Sequence, residues 1–148
     1  MITFELINSL NDALTVRSIR NACREFMTRD TDKIGIFQQL KWWRAYKNQN
    51  SQQCCLLRDD RKPIGYGLIR AVDDKCWLSG GLIPEVRGKG LGKQLFQFLI
   101  NQSQSSMLFL EVRKLNTTAY KLYQKLGFKK VSEEDGIVVM KWRTSWKK

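Results

Sequence analysis

The segment of this sequence best suited to chemistry is Arg87, Gly88, Lys89, Gly90, Leu91 and Gly92. It lies between an apolar run, 76–83, and a stretch with helical apolar spacing at Leu91, Leu95, Phe98 and Leu99. A strand, a Gly-rich turn and a helix start bring backbone N–H groups without intrahelical partners to one point, where the helix dipole adds partial positive charge. Glycine lets the backbone approach a ligand with no Cβ in the way, and Arg87 and Lys89 add full charges. The chemistry implied is anion binding, most simply of a diphosphate; a Gly-rich turn with no ligand is the other reading of the same residues.

Spacing removes two common phosphate loops. A Walker A loop has four residues between its first Gly and the Gly-Lys pair, and Ser or Thr follows. Here Gly88 and Gly92-Lys93 enclose three, and Gln94 follows. A dinucleotide fingerprint needs Gly-x-Gly-x-x-Gly with an acid about twenty residues on. This chain has Gly-x-Gly-x-Gly, and Glu111 falls inside the following strand instead of at its end.

A second segment adds to the first. Residues 108–113, Leu-Phe-Leu-Glu-Val-Arg, read as a strand, and 116–128 run Asn-Thr-Thr-Ala-Tyr-Lys-Leu-Tyr-Gln-Lys-Leu-Gly-Phe. Ala119, Leu122, Tyr123 and Leu126 share a helix face, with Gly127 placed to cap it. Together, Arg-x-x-Gly-x-Gly and the Asn-led helix with its Leu-Tyr pair and Gly-Phe resemble the two signatures of the GCN5-related N-acetyltransferases, closely over 75–128 and loosely outside it. That resemblance implies acetyl-coenzyme A as co-substrate and direct attack of an amine on its thioester. Arg87, Gly88, Lys89, Gly90, Leu91 and Gly92 would hold the pyrophosphate. The backbone of Leu82 and Ile83 would pair with the pantetheine arm, and Asn116 would hydrogen-bond it. An N-cap role alone would also account for Asn116.

For catalysis the resemblance points to Tyr123 as general acid toward the CoA sulfur. A core tyrosine on the apolar helix face is the plainer reading. Glu111 occupies the place of the base in the ribosomal-protein N-terminal alanine acetyltransferases, where a Leu-Glu-Val-Arg strand precedes the same helix. An ion pair with Arg113 or a rim position would also explain it. Ser79 and Glu85 are weaker candidates.

The absence of histidine removes Ser-His and Cys-His nucleophilic mechanisms. The four cysteines show no Cys-x-x-Cys spacing, so no metal site is expected and reduced thiols in a cytoplasmic protein are. No apolar run nears the roughly 20 residues of a membrane span, and the N-terminus lacks signal-peptide features. With 26 Lys and Arg against 14 Asp and Glu, the net charge of +12 suits an anionic partner. Arg17, Arg20 and Arg24 line up along the first helix. They suggest an anionic acceptor such as a nucleotide-linked amino sugar, against the alternative of a solvated face.

Phe26, Met27, Thr28, Ile36, Gln38-Gln39 and Trp42-Trp43 loosely resemble acetyltransferases of amino sugars. Trp43 continues an Ile36/Leu40 stripe into the core, leaving Trp42 freer to stack on a sugar or base. A protein N-terminus or an aminoacyl-tRNA stays open as acceptor. So does a different class, a catalytically inactive basic nucleic-acid-binding domain on the same fold.

A single domain over 1–148 is expected, monomeric or homodimeric, of the α/β (α+β) class. Strands are expected at 3–6, 53–57, 64–72 and 137–142, besides those beside the two signatures. Helices are expected at 12–27 and 36–47, with a polar loop over 28–35. The resulting order, βααβββαβαββ, implies a mixed, twisted sheet of six to seven strands with about four helices on both faces and central strands splayed apart.

Overall fold

A computed structural model describes residues 1–27 and 32–146, with the side chains of Phe26 and Trp146 left aside. Seven strands form one sheet: β1 (Ile2–Leu6), β2 (Gln52–Asp59), β3 (Lys62–Val72), β4 (Lys75–Leu82), β5 (Met107–Arg113), β6 (Lys129–Glu134) and β7 (Ile137–Arg143), ordered β1-β2-β3-β4-β5-β7-β6. Helices α1 (Leu10–Ala22) and α2 (Ile36–Lys47) pack on one face, and α3 (Leu91–Ser103) and α4 (Thr117–Lys125) on the other. The fold class, strand number and helix number are those the sequence implies.

Neighbouring strands are antiparallel except β4 and β5, which run parallel and pair at one position, Trp77 opposite Phe109. Beyond it the two strands part, so the sheet is splayed at its centre. Hairpin geometry is local: Asp60-Arg61, Asp73-Asp74 and Asp135-Gly136 all have positive φ, as two-residue turns that match the right-handed strand twist require. Pro63 accordingly belongs to β3, which begins at Lys62, two residues before the strand expected at 64–72.

The larger core lies under α3 and α4, where Leu95, Phe96 and Leu99 meet Leu108, Leu110, Phe128 and Met140. A second core joins Val16, Ile19 and Cys23 of the α1 segment to Cys54, Leu56 and Tyr66 of the sheet. Ser9 caps α1, its Oγ accepting from the Asp12 N–H at 3.1 Å. The α-helix stops at Ala22 and not at Met27, and a 3-10 turn, Arg24–Phe26, follows. Tertiary bonds explain the early stop. The Cys23 thiol donates to the Leu82 carbonyl at 3.1 Å, and Arg113 Nε donates to the Met27 carbonyl at 2.8 Å. Both draw the chain onto the sheet.

On α2 the expected inner stripe is displaced. Ile36 is 53% exposed, whereas Gln39 is buried and donates its amide to the Ala13 carbonyl at 2.6 Å. Trp42, Trp43 and Tyr46 complete that face, the two indoles flanking the Tyr46 ring at 5.0 and 5.6 Å. Of the expected loop 28–35, residues 28–31 lie outside the described residues. Ile34 is buried beyond them, fixed by Asn21 through its N–H at 2.7 Å and by Arg17 through its carbonyl at 2.8 Å.

Candidate active site

The two signature segments meet at the splay. After β4 a short turn, Pro84–Val86, leads to Arg87, and Gly90 serves as the N-cap of α3. Gly88 and Gly90 have φ of +78° and +80°, with nothing within 4 Å of where a Cβ would stand. The left-handed backbone is what demands glycine there. Helix α3 has no side-chain cap and no acid in its first turn. The N–H groups of Leu91, Gly92 and Lys93 therefore face outward beside Lys89 and Lys93, as an anion site requires. The Leu91 side chain itself is buried, so that residue offers the loop only its backbone. A Cβ on Gly92 would stand 3.2 Å from Leu122 Cδ2, so the loop helix sits directly against the Leu-Tyr helix.

Arg87 is positioned by the strand end: its Nε and Nη2 donate to the Leu82 carbonyl at 3.2 and 3.0 Å. That carbonyl also takes the Cys23 thiol, and Ile83 donates its N–H to Ile64 across β3 at 2.9 Å. Of the two strand-end residues expected to pair with pantetheine, Leu82 thus has its carbonyl, and Ile83 its N–H, already bonded within the protein. By the alternation of an antiparallel ladder, the Ile83–Ile64 bond turns the Leu82 N–H toward the splay.

A cleft of about 400 Å³ opens where β4 and β5 diverge. Leu78, Ser79 and Gly80 form one lip, and Glu111, Val112 and Arg113 the other. Asn116 and Tyr123 reach it from α4, while Arg20, Met27, Trp42, Tyr66, Arg70 and Trp77 form the side under α1 and α2. Asn116 does cap α4, its Oδ1 accepting from the Ala119 N–H at 3.2 Å, and it also lines the cleft. Glu111 is half-buried at the lip. Ser79 is in the wall, whereas Glu85 is exposed in the turn after β4 and is not among the lining residues.

The Tyr123 ring is held edge-on by Phe96 at 4.9 Å and Phe128 at 6.2 Å. Burial pushes its phenol well above the usual tyrosine range, with a smaller contribution from nearby Tyr66. Tyr123 therefore keeps its proton at neutral pH and can donate it. Tyr66 is shifted the same way, mainly by burial and against the pull of Arg20.

The arginines of α1 separate by role. Arg17 holds the Ile34 carbonyl, whereas Arg20 lines the cleft beside Tyr66. The cleft also contains Tyr66, Arg70 and Trp77, which the sequence alone did not single out. Strand alternation puts Tyr66, Leu68 and Arg70 on one face, but only the register of β3 with β4 brings that face against Trp77 and Ser79. Among the described residues there is no cluster of His, Cys, Asp or Glu that could hold a metal, and no helix long and apolar enough to cross a membrane.

The splayed seven-stranded sheet with helices on both faces is a fold shared with known proteins. The model of the acetyltransferase (GNAT) family matches residues 15–128, and the chain belongs to that family. A [ribosomal protein bS18]-alanine N-acetyltransferase of Haemophilus ducreyi is 44% identical over 73 residues, 47% of this chain and 50% of the relative. The chain spans half the length of that curated relative, and less of the others it matches.

Among solved structures, the spermidine N-acetyltransferase of Vibrio cholerae, in complex with CoA and spermine, superposes with a TM-score of 0.83 at 16% identity, covering 98% of this chain and 96% of the other. The N-acetyltransferase PseH of Campylobacter jejuni, in complex with acetyl coenzyme A, gives 0.74 at 20% identity, covering 97% and 99%. At such identities the likeness is one of fold.

Proposed function

We propose that residues 1–148 form one N-acetyltransferase domain that transfers acetyl from acetyl-CoA to a primary amine, with the N-terminal amine of a protein or peptide as acceptor. The observation that carries this reading is the cleft at the β4/β5 splay, where Glu111 and Tyr123 converge from two elements. The relation to a protein N-terminal acetyltransferase supports the acceptor. The loop fits the pyrophosphate of acetyl-CoA: left-handed glycines and outward N–H groups stand beside Arg87, Lys89 and Lys93, and the first turn of α3 carries no acid. When bound, acetyl-CoA supplies the activated thioester carbonyl.

The chain's own residues then do four things. The loop neutralises phosphate charge and fixes position. Asn116 and the Leu82 N–H orient the arm in the splay. Glu111 takes a proton from the ammonium through water, so that the free amine can form the new C–N bond. Tyr123 gives its phenolic proton to the sulfur as the C–S bond breaks, and both groups recover their starting states by exchange with solvent. All four cysteines are free thiols and three are buried, which suits a reducing cytoplasm.

A second reading keeps the chemistry and replaces the acceptor by an anionic amine such as a nucleotide-linked amino sugar. Arg20 and Arg70 in the cleft wall favour it. The test is acetyl transfer to peptides with free N-termini and, separately, to nucleotide-linked amino sugars, with acetyl-CoA turnover as the readout. Turnover with peptides alone supports the first reading and turnover with the sugars alone the second; turnover with neither, and no saturable acetyl-CoA binding, overturns both.

A further inference from the structure

Helices α1 and α2 pack against the β2–β4 part of their sheet face. Among the described residues, Phe109 of β5 is buried on that face, whereas β6 and the β7 positions Ile137, Val139, Lys141 and Arg143 are exposed or half-buried, so the face is open there. One cross-strand row crosses that open part. Arg70 pairs with Trp77, Trp77 with Phe109, Phe109 with Lys141, and Lys141 with Lys129. The row starts in the cleft wall, since Arg70 and Trp77 line it, and runs outward across β5 and β7. It contains no acid. Lys75, two residues before Trp77 on the same face, joins it, because its Nζ stands over the Phe109 ring at 5.1 Å and that of Lys141 at 5.6 Å.

Two ammonium groups thus stand over one ring, and positive charge gathered there favours an anion beside it. Among the described residues neither Lys75 nor Lys141 forms an ion pair.

We propose that this row is a docking strip for an acidic stretch of the acceptor polypeptide, just downstream of its N-terminal amine. The inference rests on the peptide reading above and narrows it to acceptors with acidic early residues. Charge complementarity and continuity with the cleft support it. Strands lie about 4.8 Å apart and residues about 3.3 Å apart along a strand, so Lys141, two strands from Trp77, stands roughly 10 Å from the cleft wall, and Lys75, two residues along β4, roughly 7 Å, or about two to three extended residues. Carboxylates near the third to fifth residues would reach them.

The ring geometry favours carboxylates over a nucleic-acid strand. Binding of a strand relies on open aromatic faces for stacking, yet Phe109 is 6% exposed and lysines lie over its ring. The strip presents charges, and the rings hold them in place.

The test uses two peptides with free N-termini that differ only in Asp or Asn at residues three to five. Acetylation is measured with the wild-type chain and with Lys75→Gln/Lys141→Gln, at low and high salt. The expected result is a wild-type preference for the Asp peptide of roughly fivefold in kcat/KM, the scale of two rim ion pairs. It should shrink with salt and vanish in the double variant, while the rate on the Asn peptide is unchanged. A preference that is absent, or that survives the double substitution, overturns the strip. So does a uridine homopolymer that competes with peptide through the same two lysines. Robust turnover of both peptides without preference refutes the strip alone; no turnover of either refutes the peptide reading with it.

Discussion

Replacing Tyr123 by Phe removes one oxygen from the cleft and little else. The ring keeps its edge contacts with Phe96 at 4.9 Å and Phe128 at 6.2 Å, and the helix keeps its end, where the Tyr123 carbonyl accepts from Phe128 at 3.0 Å. The change in folding stability should therefore be about 1 kcal/mol or less. In the proposed mechanism, what is lost is the proton for the departing sulfur. A positioned general acid contributes about 10² to 10⁴ in rate, and the lower bound corresponds to about 2.7 kcal/mol of barrier.

The expected outcome of Tyr123→Phe is a kcat at least about a hundredfold lower with the KM for acetyl-CoA little changed, because the phenol acts at the sulfur and not on the phosphates. Release of CoA thiol measures the rate, and a thermal melt checks the fold. The pH profile adds a second readout. Burial raises the phenol's pKa, so the wild-type rate should not fall at the ordinary tyrosine value, and any alkaline limb should lie above it. A variant within threefold of wild-type kcat, with an intact melt, would refute the general-acid role.

Three further perturbations test other parts of the structure. Gly90→Val meets no protein atom within 4 Å but forces a branched residue to φ of +80°, a strain of about 1–3 kcal/mol. Acetyl-CoA affinity measured by calorimetry should fall at least about tenfold, and unchanged affinity would refute the loop assignment. Gln39→Leu removes the 2.6 Å bond to the Ala13 carbonyl and should lower stability by about 1–2 kcal/mol; an unchanged denaturant midpoint would show that the bond contributes nothing net. Burial raises Cys54, Cys55 (to about 11), Tyr46, Tyr66 and Tyr123 above their ordinary values of 9.0 for thiols and 10.0 for phenols. The unfolded chain releases these protons first as pH rises. Stability should hold up to about pH 9 and then fall by up to about 1.4 kcal/mol per pH unit for each group in its titration window, and a melting temperature flat to pH 11 would contradict this.

The backbone of the half of the site proposed for the cofactor was legible in the sequence because it is local. Left-handed glycines, an uncapped helix start and an Asn N-cap are each decided within a few residues, so Arg87 to Gly92 and Asn116 stand where their spacing implies. Ends governed by distant partners were not legible. Met27 leaves the helical pattern because Arg113, 86 residues away, takes its carbonyl. Gln39 displaces Ile36 from the α2 interior because the Ala13 carbonyl offers its amide a bond, and an apolar count along one helix cannot register that.

The part of the cleft proposed for the acceptor is non-local throughout, which is why composition hinted at an anionic partner without locating where it would sit. Net charge pointed to an anionic partner, yet the α1 arginine stripe that stood for it divides between a loop tether, Arg17, and a cleft residue, Arg20. Arg70, Trp77, Phe109 and Lys141 come from four strands, and the spacing within any one strand carries no trace of the row they form. Their alignment depends on three registers holding at once, including the single parallel pair at Trp77 and Phe109. A one-residue slip at that pair would send Phe109 to the opposite face and leave both lysines without their ring. On the proposed reading, acceptor choice is tied to strand register at the splay, where β4 and β5 meet at one residue each, and cofactor binding to the loop. Changes at the Trp77–Phe109 pair should alter which amines are acetylated before they alter the affinity for acetyl-CoA.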